Sequence, residues 1–293
     1  MKRKIIAVLV WLVVLSLIIP AVGMNAVGEK GGNGKGNGGK GNSGAKNNYL
    51  IVESSASGVS DGAVRIRSSN GKISWEMTEL NTPCEAEMLG NGNRLIAETY
   101  AMRVIEVDPL GNVVKTVSTE TIYGITVLDD GNYLLAGLDG VWEVDSITGE
   151  VLWDYPLFFA YDAIKLPDNT YVITDFDSNI VLQVDIYENI IKTYTGCYGI
   201  SFINPTDIDL LSNGNYLISD YNNRRTVELN PNGAPEWQYN AGGPIHDSDR
   251  LPNGNTLITD ATNERVYEVD YYGKRTWQLR RLQFPNNIDL LPA

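Results

Sequence analysis

The chain has 293 residues, 43% of them hydrophobic and 20% charged, with a formal net charge of −13. From Tyr49 onward 16 basic residues face 35 acidic ones, a net charge near −19 that repels phosphate backbones and excludes nucleic acid as an expected partner. A single histidine excludes zinc sites built from several imidazoles, and no glycine-rich phosphate loop or serine nucleophile elbow is present.

Lys2-Arg3-Lys4 precedes an apolar run from Ile5 to Ile19, followed by Pro20 and small residues such as Ala21 and Gly23. A basic start, an apolar segment and small residues describe a secretory signal peptide over 1–28. The rival reading is an uncleaved anchor, because Ile5 to Val27 is 23 residues long and a span needs roughly 20. No cysteine follows the run, which excludes a lipid-modified N-terminal cysteine. Both readings place the protein outside the cell or at its surface. Residues 29–48, EKGGNGKGNGGKGNSGAKNN, hold too little apolar surface to offset their ordering entropy and read as a flexible linker. It serves as a tether if 5–27 stays in a membrane, or as a plain tail if it is removed.

The rest repeats itself. Residues 251–270 read LPNGNTLITDATNERVYEVD, 211–230 read LSNGNYLISDYNNRRTVELN, 166–185 read LPDNTYVITDFDSNIVLQVD and 89–108 read LGNGNRLIAETYAMRVIEVD, with a shorter copy over 128–145. The residues before each second strand, Asn93, Asn132, Thr170, Asn215 and Asn255, are spaced by 39, 38, 45 and 40. A period of about 40 with several short strands per unit predicts a β-propeller. In one copy, strands are expected at 207–211, 216–219, 226–229 and 236–239, with Asn213-Gly214 and Asn232-Gly233 as tight turns.

The ends complete the count. Asn287 to Leu291 matches the opening strand of a repeat but has no partners after it, while 49–53, 63–67 and 72–76 read as second, third and fourth strands. The last strand is therefore expected to join the first blade and close a six-bladed, all-β propeller over 49–293, removing exposed sheet edges. Cys84 and Cys197 fall on distant blades and read as two separate small hydrophobes rather than a disulfide. A monomer is expected.

A ligand is expected at the channel mouth where the innermost strands begin. Those starts are Glu85, Gly124, Asp162, Asp207, Asp247 and Asn287, with Cys84, Tyr123, Tyr161, Thr206, His246 and Asn286 beside them. Acidic and amide groups converging on one axis raise each other's pKa or attract a cation, with Ca²⁺ the candidate and Glu85, Asp162, Asp207, Asp247 and Asn287 the candidate ligands. The equal alternative is that these side chains bond to backbone groups of the adjacent blade. Asp175, Asp220 and Asp260 recur with Asn179, Asn223 and Asn263, and with Arg225 and Arg265 in two copies; they read as turn locks. Trp75, Trp153, Trp237 and Trp277 recur on the fourth strands and mark outer packing. His246, beside Asp247, is the best single candidate for acid–base or nucleophilic work.

HDSDRLPNGNTLITDATNERVYEVD, residues 246–270, resembles the repeat of arylsulfotransferase-type propellers, and the DxxNxR element more weakly resembles NHL-type repeats. The resemblance implies sulfuryl transfer between phenols through a channel histidine, with His246 and Arg265 as the transferable positions. Three readings follow: an exported, non-catalytic propeller that binds a small ligand or protein at the channel mouth; an enzyme there, either an arylsulfotransferase relative using His246 or a cation-dependent hydrolase or lyase using the acidic ring; and a purely structural surface protein with no axial cavity.

Overall fold

Side-chain amides set the geometry of each repeat before any long-range packing does. In the Asn-Gly-Asn turns the first asparagine folds back on the backbone, as Asn213 Oδ1 does by accepting from the Asn215 amide at 3.0 Å. Both asparagines then donate to one glutamate on the third strand: Asn91 and Asn93 to Glu106 at 3.2 and 2.5 Å, Asn213 and Asn215 to Glu228 at 3.1 and 2.7 Å, and Asn253 and Asn255 to Glu268 at 3.1 and 2.5 Å. The glycine between them takes positive φ, 83° at Gly214, where a Cβ would be strained. The turn and the third strand are thereby fixed together, and this is why the repeats share asparagines and a glutamate far apart in sequence.

A computed structural model of the protein describes residues 47–54 and 61–292. The signal or anchor segment, and the linker as far as residue 46, lie outside the described residues. Six four-stranded antiparallel sheets follow one another. Blade 2 comprises Pro83–Met88, Arg94–Glu98, Arg103–Val107 and Val113–Ser118; blade 3 Ile122–Val127, Tyr133–Gly137, Gly140–Val144 and Val151–Pro156; blade 4 Ala160–Lys165, Tyr171–Asp175, Ile180–Val184 and Ile190–Tyr194. Blade 5 comprises Pro205–Leu210, Tyr216–Asp220, Arg225–Leu229 and Pro235–Asn240, and blade 6 Ser248–Arg250, Thr256–Asp260, Arg265–Val269 and Arg275–Arg280. Blade 1 joins both ends of the fold: Pro285–Leu290 lies against Asn48–Glu53, with Ile288 opposite Ile51, and Gly62–Ser68 and Ile73–Leu80 complete it. The expected six-bladed ring with its closing strand is the fold observed. The spacing of 45 before blade 5 holds a small hairpin, Gly196–Cys197 with Ile200–Ser201, in the crossover. Among the described residues no helix is long and apolar enough to cross a membrane.

The core is a set of seams between blades. Val172, Val181, Ile208, Ile218 and Val227 fill the seam between blades 4 and 5, and Tyr49, Ile51, Leu257, Val266 and Ile288 fill the seam between blades 6 and 1. Outer-strand aromatics close these seams from outside. Trp153 Nε1 donates to Ile186 O, Tyr194 Oη to Pro231 O, Trp237 Nε1 to Tyr271 O and Trp277 Nε1 to Ser69 O, each on the following blade, at 3.2, 2.9, 2.8 and 2.8 Å. Cys84 and Cys197 are free thiols.

Ile288 tests the closure. Its side chain is fully buried where the last strand meets the first, so Ile288→Ala is expected to cost about 2–5 kcal/mol in chemical denaturation. Leu110→Ala, at a position 87% exposed, is expected to change stability by less than about 0.5 kcal/mol.

Candidate functional site

The innermost strands line the axis, and alternation along each sends every second side chain into the channel. Two tiers result. The first holds Glu85, Gly124, Asp162, Asp207, Asp247 and Asn287; the second, two residues further along, holds Glu87, Thr126, Ile164, Asp209, Asp249 and Asp289. The second tier was overlooked in the sequence, although its signal was there: Asp207-Ile208-Asp209, Asp247-Ser248-Asp249 and Asn287-Ile288-Asp289 repeat the acid at strand period.

First-tier carboxyls lock a blade to the next at four of the six joints. Glu85 Oε2 accepts from the Ile125 amide at 2.6 Å, Asp162 Oδ2 from Ile208 at 3.1 Å, Asp207 Oδ2 from Ser248 at 3.0 Å and Asp247 Oδ2 from Ile288 at 2.7 Å. Of the two readings of this ring, backbone bonding to the adjacent blade describes these four side chains. Gly124 carries no acid because a Cβ there would come within 2.7 Å of Tyr161 O and 2.8 Å of Asp162 Oδ1. Asn287 breaks the pattern differently. It is 8% exposed, and its Oδ1 has no hydrogen-bond partner among the described residues. Among those residues, no group of three or more His, Cys, Asp or Glu side chains is placed to hold a metal ion.

Beside the first tier the axis is nearly filled. The cavity bounded by Tyr123, Tyr161, His246, Asn286 and the first-tier acids is about 20 Å³, room for one water. His246 Nδ1 lies 3.3 Å from Tyr161 Oη, with Tyr221 and Phe284 packed edge-on at ring distances of 4.7 and 5.5 Å. Tyr123, Phe159, Tyr161 and Phe176 stack into the same cap. Phe159 and Phe284 hold φ of 67° and 40°, left-handed conformations that cost roughly 1–3 kcal/mol each and that direct their rings here. The His246 Nε2 is buried without a partner among the described residues, and burial pushes the imidazole down to about 4, so it is neutral at pH 7.

The other end is open. A cavity of about 330 Å³ is lined by both tiers and by Met88, Leu290, Leu291 and Pro292. It adjoins grooves of about 760 Å³, sharing Asp209 and Asp249, and about 460 Å³, sharing Thr126 and Ile164. Asp209, Asp249 and Asp289 make no side-chain hydrogen bond among the described residues, and Asp249 Oδ2 is fully buried without a partner. Glu87 gives one oxygen to the Val127 amide at 2.9 Å. Burial raises all four: Glu87 to about 7, Asp209 to about 7, Asp289 to about 8, with Glu87 and Asp209 adding to the last, and Asp249 well above the usual carboxylate range, with Asp247, Asp209 and Asp289 adding.

Arg265 sits elsewhere. Its Nε and one terminal nitrogen bind Asp260 Oδ2 at 2.8 and 2.6 Å, and it lines neither axial cavity. Asp220 pairs with Arg225 at 2.7 Å and accepts from the Ile203 amide at 2.8 Å, tying the crossover to its blade. Asp175 instead accepts from the Ser178 amide at 2.8 Å. The recurring Asp–Asn–Arg set thus bonds partly within its own turns and partly to the crossover before blade 5, where Asn179 Oδ1 accepts from the Asn204 amide at 2.8 Å and Asn223 Nδ2 donates to Ser201 O at 2.7 Å.

No protein-family model and no curated protein matches the chain. Among solved structures, the fold is similar to that of a protein of unknown function from Bacteroides caccae, at 18% identity and TM-score 0.70, covering 84% of this chain and 100% of that one. It is similar to a streptogramin B lyase at 13% identity and TM-score 0.60, covering 85% and 95%. A catalytically inactive histidine-to-alanine variant of virginiamycin B lyase from Staphylococcus aureus, solved with quinupristin, is similar at 14% identity and TM-score 0.56, covering 84% and 85%. Likeness at these identities shows the shared six-bladed fold.

Raised carboxylates make stability depend on pH in a definite sense. Their unfolded values lie near 4 and their folded values near 7 to 8, so the folded state holds more protons between these limits. The stabilisation is complete below about pH 4 and is lost as pH rises through 7 to 8. The melting temperature is expected to fall between pH 5 and pH 8.5, and Asp249→Asn is expected to lessen that fall. A flat wild-type profile over this range would contradict the assignment.

Proposed function

We propose that this is an exported, non-catalytic ligand-binding propeller that holds a cationic ligand in the acidic funnel at the far end of its channel. The observation that carries the reading is the contrast between the two tiers. Each of four first-tier acids gives an oxygen to a blade-to-blade bond, whereas Asp209, Asp249 and Asp289 line about 330 Å³ of open space without side-chain hydrogen bonds among the described residues. A positive ligand would let them ionise, and burial makes that attraction stronger than in water. Asn48, where the propeller begins, lies at the rim of this face, its carbonyl accepting from the Leu291 amide at 2.9 Å. Export and surface attachment rest on the apolar run over 5–27.

A second reading, an enzyme at the capped end, has one observation in its favour. His246 is a neutral imidazole whose Nε2 has no partner among the described residues and whose Nδ1 faces a tyrosine hydroxyl, which suits a general base, and a histidine-to-alanine variant of the similar staphylococcal lyase is catalytically inactive. Against it, about 20 Å³ beside His246 leaves no room for a substrate. The arylsulfotransferase version is weaker, since Arg265 is held by Asp260.

Calorimetric titration of Ca²⁺ and of butylamine into the wild type, Asp249→Asn/Asp289→Asn and His246→Ala separates the two ends. The funnel reading expects saturable heat from at least one cation, lost in the double variant and retained in His246→Ala. Binding that survives in the double variant would overturn it. So would consumption of quinupristin that disappears in His246→Ala, since that result would establish the capped end as an active site.

A further inference from the structure

Resting on the funnel reading, the geometry points to an aliphatic polyamine as the ligand, held with one ammonium at each carboxylate tier. The two tiers are two residues apart on the same strands, a separation of about 7 Å along the axis. A chain of four methylenes between two ammonium groups spans a comparable distance. The deeper tier keeps acceptors that the blade locks do not use. Asp207 and Asp247 each bond through Oδ2 and leave Oδ1 without a hydrogen bond among the described residues. Asn287, more than nine-tenths buried, lines the same cavity with an unpartnered Oδ1. The outer tier adds Glu87, Asp209, Asp249 and Asp289.

Three features favour an organic cation over a bare metal ion. The cavity, at about 330 Å³, greatly exceeds one ion with its ligands. Among the described residues no three acids are placed to share a metal. Apolar side chains stand among and beyond the acids, with Ile164 in the outer tier and Met88, Leu291 and Pro292 beyond it, surfaces that suit methylenes. Ammonium groups donate up to three hydrogen bonds each, which matches acceptors arranged around an axis rather than at one point.

The test compares putrescine, butylamine and Ca²⁺ by calorimetry on the full chain. The two-tier account expects putrescine to bind at least about tenfold tighter than butylamine, a difference of about 1.4 kcal/mol. Asn287→Leu, which removes an acceptor from the deeper tier but no blade lock, is expected to cut the advantage of putrescine over butylamine. Asp249→Asn/Asp289→Asn is expected to weaken both amines, with melting curves confirming that each variant is folded. Equal affinity for putrescine and butylamine would overturn the polyamine assignment while leaving the cation funnel intact. Ca²⁺ binding that putrescine does not compete for would do the same. No binding by any of the three would overturn both.

Discussion

A carboxylate on the innermost strand of one blade bonding to a backbone amide of the next is the contact on which the rest of the molecule depends. Glu85, Asp162, Asp207 and Asp247 make it at four of the six joints. Each bond places a carboxyl acceptor at a buried joint, and burial holds all four above the usual carboxylate range. An intramolecular hydrogen bond contributes about 0.5–1.5 kcal/mol, and removing one partner leaves the other to bear a desolvation cost of about 1–3 kcal/mol. The locks therefore fix the angle between blades as well as holding them together. The outer aromatics repeat the arrangement at the rim, with Trp237 and Trp277 bonded to carbonyls of the following blade. Between these inner and outer bonds the apolar seams need only fill space.

From this constraint the two ends of the channel acquire different chemistry. At the start of the strands, the locks take one oxygen of each of four carboxyls and the cap around His246 leaves only about 20 Å³ beside it. Two residues on, Glu87 still accepts from the Val127 amide, but Asp209, Asp249 and Asp289 make no side-chain hydrogen bond among the described residues. They remain because the pleat returns them to the axis, not because a bond requires them. Replacing each by a neutral residue would cost the fold nothing evident in its hydrogen bonds, which is the physical reason to assign them to a ligand. A neutral, buried histidine and a set of neutralised acids at opposite ends also show that burial, more than charge pairing, governs ionisation along this axis.

Much of the architecture was legible in the sequence because the repeat states it several times over. The period of about 40, the Asn-Gly turns and the unpartnered strand at 287–291 imply the blade and the closure of the ring, whereas the bonds from the turn asparagines to a third-strand glutamate emerge only in the structure. The crossover hairpin at 196–201 was visible only as an extra length, since two-residue strands leave no periodicity. The candidate site was half legible. Alignment of the strand starts located the first tier and His246, but whether an axial acid bonds to a neighbouring amide or faces open space depends on how far apart two strands stand. That distance is set by packing elsewhere, as at Gly124, where the close approach of Tyr161 and Asp162 excludes any side chain. Arg265 carried a suggestive position in the repeat, and only its bonds to Asp260 reveal that its donors are already used.

The claim that the outer channel acids face a cation site is tested most directly by carboxyl-carbon NMR titration of the aspartates with and without a saturating cation. The account predicts that Asp209 titrates near 7 and Asp289 near 8 in the free protein, and that both shift down when the cation binds. Titration of both near 4, unchanged by the cation, would show that the far funnel is an ordinary solvated surface and would contradict the account.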